Sequence, residues 1–532
     1  VRKLALFALI VFSSLACQAQ KIADAFSYIE RGDLSKLKAS IEAGLDIDSQ
    51  DIIGTSLLLK ACIENKTEII HYLLDKKADI HKKDKNAYSP FTKACAKGNL
   101  EVARRLLRMG AAINDRDSHG TSPLMNAVAS GNIELVRLLL DSGADIAAQD
   151  LAGYTPLFYL DMSKGAAGAL SIADVLTQAG SDCNHVSTAG YTLLLLACAK
   201  SNEEMTRYLL ANGADIHQAE RHYGKNALIT SAELASAQVL TLLLERKPDL
   251  ELRDGQGHTA LMAAAWSKKW DNARALVDAG ANMNVFASDA YANASFLELL
   301  VIHGQRDLLL HCLRRGADPN VVSKKGSTPF LSIVPWADIS TIKLFIEHGA
   351  NPNGVNGAGE SALFLTRDLE TAKLLVEKGT SLDLRNRRGA TALLMACEYG
   401  YHDIARYLIE QGADASISDN EGMACAFYLA RSEERQLFDL VLDRVKDVNH
   451  TDIYGRTALM FAAMAGNRHA AEALIKKKAV IDAQDHKGMT ALMYAAKSKG
   501  AAMMKLLKDA GANASLKSKE GLTSDGYYEA EY

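Results

Sequence analysis

The 532-residue sequence predicts an all-α repeat solenoid. Three observations carry this. Near-identical phrases return along the chain: "GADIAAQDLAGYTPL" at 143–157, "GADIHQAERHYGKNAL" from Gly213, "GADPNVVSKKGSTPF" from Gly316 and "GADASISDNEGMACA" from Gly412. Turn glycines at Gly54, Gly120, Gly153, Gly190, Gly224, Gly257, Gly326, Gly359, Gly389, Gly422, Gly455 and Gly488 mostly stand 33 residues apart. Between them lie two short stretches with apolar residues at helical spacing, each too small to bury a core alone.

In chain order, residues 1–19 come first. Arg2 and Lys3 precede a mostly apolar run and then small residues, in "VRKLALFALIVFSSLACQAQ". This reads as a bacterial-type signal peptide. The run is shorter than the ~20 residues a membrane-spanning helix needs. Cleavage before Gln20 gives a soluble periplasmic or secreted protein. The alternative is a lipoprotein anchored through Cys17, with "SLAC" as a loose lipobox.

Residues 20–50 read as an N-terminal capping repeat. "FSYIERGDLSKLKASIEAGLDID", from Phe26, has both helices but no leading turn. Residues 51–517 read as the solenoid, with about 14 full repeats and two helices in each. Residues 518–532, beginning "SKEGLTSDGYYEAEY", start another repeat and stop, as a truncated C-terminal cap does.

One unit, Asp117 to Gln149, shows the local logic. Gly120 closes a turn that needs positive φ. Ser122 caps a helix, and Pro123 fits its first turn, where a missing N–H costs nothing. Leu124, Ala127 and Val128 form its apolar face. Gly131-Asn132 breaks the helix. A second helix follows with Ile133, Val136, Leu139 and Leu140 on its apolar side, and Gly143 ends it.

Departures predict irregular stacking. Ala87 and Asn293 fill two turn-glycine slots; alanine tolerates φ > 0 poorly. The fourth repeat carries an insertion, "SKGAAGALS" (163–171), expected as a longer loop between its helices. Ala287 to Asp289 are extra residues before the eighth repeat. The tenth is short around Arg367 and Asp368. The twelfth, "NEGMACAFYLARSEERQLFDLVLDRVKDVN", keeps few signature residues and should be a weak joint.

The period, together with "G-x-T-P-L…A" and "V-x-x-L-L-x-x-G-A-D", resembles the ankyrin repeat over nearly the whole chain from Ala25. The histidine of the family's T-P-L-H is absent, and Met125, Met262, Met460 and Met493 stand there. The resemblance implies a protein-binding scaffold that uses its turn tips and concave helix face. Stacking consumes the remaining surfaces.

Composition narrows the function further. The formal net charge is −4, or −6 without Arg2 and Lys3, and no basic stripe stands out, which argues against nucleic acid. No Walker loop, nucleophile elbow, metal-protease motif or dinucleotide fingerprint is present, so neither an enzyme nor a cofactor is expected. The pairs His303/His311 and Cys183/His185 lack repeated metal spacing and read as surface residues. Cys62, Cys95, Cys198 and Cys397 share one small-residue slot in the first helix and read as buried hydrophobes. Equivalent atoms one helix width apart, ~10 Å, are too distant for a disulfide. Cys183, Cys312 and Cys425 show no pairing pattern.

The candidate protein-binding residues are Trp266, Ile302, His303, Trp336 and Tyr399 at the exposed ends of first helices, with Lys324, Lys325, Arg387 and Arg388 on nearby tips. Exposed aromatics suit binding hot spots, and the cations suit an acidic partner. Trp270 aligns with core positions. Tyr88, Tyr154 and Tyr191, beside the turn-glycine slot, form a second candidate. The leading function is an exported bacterial interaction scaffold, monomeric and binding one protein partner. It would meet a membrane only if lipidated at Cys17. An effector or an inhibitor that neutralises an enzyme is the alternative, and a purely structural envelope spacer is a third.

Overall fold

A computed structural model describes residues 18–162, 167–286 and 294–529. The chain divides into two units, Val1–Asn282 and Met283–Tyr532. Each is a stack of helix pairs joined by turns. A helix over 18–31 and Leu34–Glu42 open the first. Fourteen pairs follow among the described residues, from Leu57–Ile63 to Ala501–Asp509, and Ser524–Glu529 closes the second unit. Described β-structure amounts to isolated bridges at the turns, such as Gln50 with Ser56 and Thr451 with Thr457.

The third repeat follows its sequence closely. Ser122 Oγ accepts from the Met125 N–H at 3.2 Å, and Pro123 opens the helix Pro123–Ala129. Asn132 Oδ1 caps the helix Ile133–Asp141 through the Leu135 N–H at 3.1 Å. Its Nδ2 donates to the Gly98 carbonyl of the preceding repeat at 2.8 Å, so one side chain both starts a helix and ties two repeats. Gly143 takes φ +87°, which lets the Ala144 N–H return to the Leu139 carbonyl at 2.9 Å. The core differs in detail from the sequence reading. Leu135, Val136 and Leu139 are buried, while Ile133 and Leu140 are half-buried. The second helix touches its own first helix and a neighbour on each side, so its buried stripe is wider than one apolar face.

First helices pack on first helices and second on second. In the first unit Leu57–Ile63, Pro90–Ala96 and Pro123–Ala129 run in series; in the second unit Ala458–Ala465, Ala491–Lys497 and Ser524–Glu529 do the same. Burying each Leu of these faces contributes about 1.5–3 kcal/mol. Tyr527 lies buried in the final cap, its hydroxyl 2.9 Å from Ser518 Oγ and 2.8 Å from Glu520.

Two polar ladders join successive repeats. At the tips, a backbone N–H donates to the previous tip's carbonyl: Ser118 to Asn86 and Leu151 to His119 at 2.9 Å, Asn420 to Arg388 and His486 to Tyr454 at 2.8 Å. After the second helices, an Asp or Asn side chain accepts from a backbone N–H 31 residues on. Asp48 takes Asp79 at 2.8 Å, Asn320 takes Asn351 at 2.7 Å, Asp383 takes Asp414 at 2.9 Å and Asn449 takes Val480 at 2.8 Å. In the first unit the ladder lacks its acceptor at His81, Ala147 and His217, and in the second unit it breaks between the eleventh and twelfth repeats. Ser416 stands at the acceptor position for Asp447, and its hydroxyl donates to Asp414 at 2.5 Å instead.

The expected irregularities fall out variously. The first helix of the tenth repeat shrinks to Ala362–Leu365. In the twelfth, Cys425–Leu429 is short and its N-cap, Ala424, offers no side-chain acceptor. The fourth repeat corrects the reading. Its first helix is a 3-10 turn, Pro156–Tyr159, and the expected loop over 163–171 is already helical from Ala167. Ala, Gly and Leu at 167–170 extend the second helix toward its N-terminus instead of forming a loop. Residues 163–166, Ala287 to Asp289 and Asn293 lie outside the described residues, as does 1–17. No described helix is long and apolar enough to cross a membrane.

Candidate functional site

Thr259, Ser295, Thr328 and Thr391 cap the first helices of four repeats, each side chain accepting from the N–H three residues on. Three of these helices end seven or eight residues beyond the cap, whereas the one from Thr328 ends earlier, at Ile333. Trp266, Ile302 and Tyr399 occupy the three later ends, while Trp336, expected at a helix end, lies in the turn that follows Ile333 because that helix stops short. Trp266, Ile302, Trp336 and Tyr399 are 41%, 54%, 51% and 58% exposed, whereas the helix residues before them are nearly all buried.

Trp266 belongs to the first unit. The other eight sequence-predicted residues belong to the second, where Trp336 and Tyr399 share one register and Ile302 stands one residue earlier, beside His303. His303 is half-buried as the C-cap of Phe296–Ile302. Trp336 Nε1 donates to the Ser332 carbonyl at 2.9 Å, which fixes the indole while leaving it exposed. The Tyr399 ring lies 6.2 Å from Tyr401, and Gly400 between them takes φ +75° to end the helix. Trp270, expected in the core, is half-buried.

Lys324, Lys325 and Arg387 are exposed on tips. Arg388 is engaged otherwise. Its guanidinium pairs with Glu398 at 3.2 Å and with Asp419 at 3.3 Å. Asp419 is the buried carboxylate that organises the next turn, accepting from the Glu421 and Met423 amides at 2.9 Å. Arg388 therefore balances a buried charge, a role that a lone tip cation does not reveal in sequence. Tyr428 nearby is pushed up to about 12 by burial and by the Glu398 and Asp419 carboxylates.

The tyrosines of the second candidate are half-buried and packed back on their own repeats. Lys93 Nζ sits 3.1 Å from the Tyr88 ring centre, and Tyr154 stacks on Phe158 at 4.9 Å. The sequence reading passed over a different set of tip residues. Ile52 and Leu151 in the first unit, and Ile453 and Tyr454 in the second, are strongly exposed. They occupy the first two slots after the turn Asp, where other repeats carry charged or small residues, so the alignment held the signal. Arg456 lies 4.9 Å from the Tyr454 ring while its guanidinium meets Asp452 at 2.6 Å.

Cys62, Cys95, Cys198, Cys312, Cys397 and Cys425 are buried free thiols, and Cys183 is half-buried. Burial pushes the Cys62 and Cys95 thiols up, and that of Cys198 up to about 11. The neighbouring Cys425 of the next repeat, together with burial, pushes the Cys397 thiol up, a proximity between different slots that comparing equivalent positions misses. His185 Nε2 lies 2.8 Å from the Gly153 carbonyl, a link between turns. Among the described residues, no group of three or more His, Cys, Asp or Glu could hold a metal ion.

Against known proteins, the description "Ankyrin repeats (3 copies)" matches residues 26–117, 58–150, 162–254, 213–287, 366–452 and 427–518. The chain is similar to an ankyrin repeat-containing protein of Treponema pallidum, 33% identical over 115 residues, 22% of this chain and 39% of that protein. It is 41% identical over 76 residues to protein fem-1 homolog A-like of Mus musculus, covering 14% and 11% of the two chains. It is 27% identical over 181 residues to the ankyrin repeat and KH domain-containing protein mask-1 of Caenorhabditis elegans, covering 34% and 6%. The chain thus spans well under half the length of each of these relatives.

Proposed function

Since this chain belongs to the ankyrin-repeat family, whose repeats generally mediate protein–protein interaction, we propose that it is a non-catalytic scaffold for one protein partner. The observation that carries this reading is the exposure of Ile302, Trp336 and Tyr399, which stand seven or eight residues after the first-helix caps of the eighth, ninth and eleventh repeats. Such rigid aromatic area binds at low entropic cost. Lys324, Lys325 and Arg387 at the tips orient an acidic partner and speed its encounter, while Arg388 holds its turn in place. Trp266 and His303 extend the same kind of surface.

The proposal includes an exported, bacterial location. The support is the charged-then-apolar pattern of 1–19, ahead of a cap over 20–50, a solenoid over 51–517 and a truncated cap over 518–532. Fractionation of cells producing the full chain, with and without Cys17→Ser, separates a soluble exported protein from an anchored one.

The binding test uses the full chain as bait in an envelope extract, followed by affinity measurement with the captured protein. Trp336→Ala with Tyr399→Ala should weaken binding by on the order of a hundredfold at unchanged helicity. Unchanged affinity with the fold intact removes this surface from the site. Loss of helicity would show that these side chains pack.

A further inference from the structure

We propose that the twelfth repeat contains a binding cavity for a neutral, single-ring apolar molecule. The reasoning starts from the helix exit. In the eleventh repeat Gly412 takes φ +98°, and Ala413 turns back to bury its methyl group. The corresponding residues of the twelfth repeat are Val445 and Lys446. A β-branched residue cannot adopt that left-handed conformation cheaply. Val445 leaves the helix Arg435–Arg444 extended, at φ −72° and ψ 128°. Lys446 is carried into solvent, its side chain 79% exposed, and pairs with Asp414 at 3.5 Å. The slot that an alanine fills elsewhere is vacated.

Beneath it lies a cavity of about 220 Å³. Phe427, Leu442, Val445, Val448 and Leu474 line it together with alanines, and Ser416, Lys446, Asp447 and His450 add polar groups. A wholly apolar cavity of roughly 150 Å³ stays dry and takes up benzene; this larger one, apolar on one side and polar at Ser416, Asp447 and His450, suits a ring with one small polar substituent. The solvent side is formed by residues that are only half-buried, Ser416, Val448 and His450, and by the broken rung of the Asp/Asn ladder at Ser416 and Asp447. Entry therefore needs no unfolding of a packed layer.

Charge decides the ligand class. Asp447 lines the cavity, and Lys446, which also lines it, already pairs with Asp414. The Ser416 hydroxyl and amide hold Asp414 below the usual carboxylate range, so it stays ionised at neutral pH. An anion meets net repulsion and a cation would lose its hydration in an apolar wall. A neutral ring with one hydroxyl or carbonyl at the rim meets neither cost. None of the lining residues belongs to the proposed protein-binding face.

The test is titration of the full chain with benzyl alcohol and with benzoate, read by calorimetry and by hydrogen exchange over 424–450. Saturable binding of benzyl alcohol, at least about tenfold tighter than benzoate, with protection in that segment, is expected. Val445→Gly with Lys446→Ala restores the Gly-Ala exit and should abolish binding while raising local stability. Ala458→Val, which narrows the cavity from the thirteenth repeat, should weaken binding by about tenfold. Absence of saturable binding, equal binding of benzoate, or undiminished binding in both variants would overturn the proposal.

Discussion

The turn-glycine slot gives a paired prediction of opposite sign. Gly120 stands at φ +82°, and a methyl group there would meet Asp150 Cα and the Leu151 N–H at 3.1 Å. Gly120→Ala costs about 1–2 kcal/mol for the left-handed backbone. A further ~1–3 kcal/mol comes from crowding the next turn, whose Leu151 N–H donates to His119 at 2.9 Å. Some of this is returned because alanine has a less flexible unfolded chain. The net loss is about 2–4 kcal/mol. Ala87 already occupies the same slot at φ +59°. Ala87→Gly removes its strain, offset by glycine's entropy, for a net gain of about 0.5–1 kcal/mol. Segment-resolved hydrogen exchange reads both. Protection should fall first over 117–160 in Gly120→Ala and rise over 84–108 in Ala87→Gly, with distant repeats unchanged, because each repeat feels only its neighbours. A neutral Gly120→Ala, or a destabilising Ala87→Gly, would refute the argument that φ and close approach, rather than side-chain packing, govern this slot.

Three further predictions follow from single sites. The Ser340 hydroxyl, with the side chain and amide of Thr341, lowers the helix-capping Asp338 to about 2 against opposing desolvation. Its stabilisation is present above the unfolded value near 4 and disappears as pH falls from about 4 to about 2; exchange over 339–347 should rise in that window, and Asp338→Asn should flatten the change. Native alkylation should modify Cys183 well before Cys62, Cys95 or Cys198, whose thiols burial holds in the protonated form; early labelling of Cys62 would contradict the packing. The segment 424–450, with its uncapped short helix and broken ladder, should exchange fastest among the repeats of the second unit, and strong protection there would count against a weak joint.

Most of the repeat was legible because its signals are local. Ser122, Pro123, Asn132 and Gly143 act through caps and φ within a few residues, and the structure puts each where its chemistry predicts. What escaped depends on neighbours. The fourth-repeat insertion became helix because it could extend an existing one. Arg388 reads as a solvated tip cation until its buried counter-charge, Asp419, is brought to it from the next repeat. The meeting of Cys397 with Cys425 crosses slots, so aligning equivalent positions could not show it. The exposed residues beyond the first-helix caps were readable by aligning repeats, although the early end of the helix at Ile333, which leaves Trp336 in a turn, was not. The tips at Ile52, Leu151, Ile453 and Tyr454 were equally readable, but turn residues are easily discounted as solvent-facing and unremarkable.

The Asp/Asn ladder also sets how the second unit should respond to a pulling force. Each rung is a short bond between one repeat and the next, so tension applied along the chain is shared by bonds that must break one after another. Ser416 leaves one joint without its rung. Stretching Met283–Tyr532 between its ends should therefore give a first rupture at the twelfth repeat. One repeat of 33 residues releases roughly 110 Å of extended chain, and a fully laddered joint such as that between Asp383 and Asp414 should yield only at higher force.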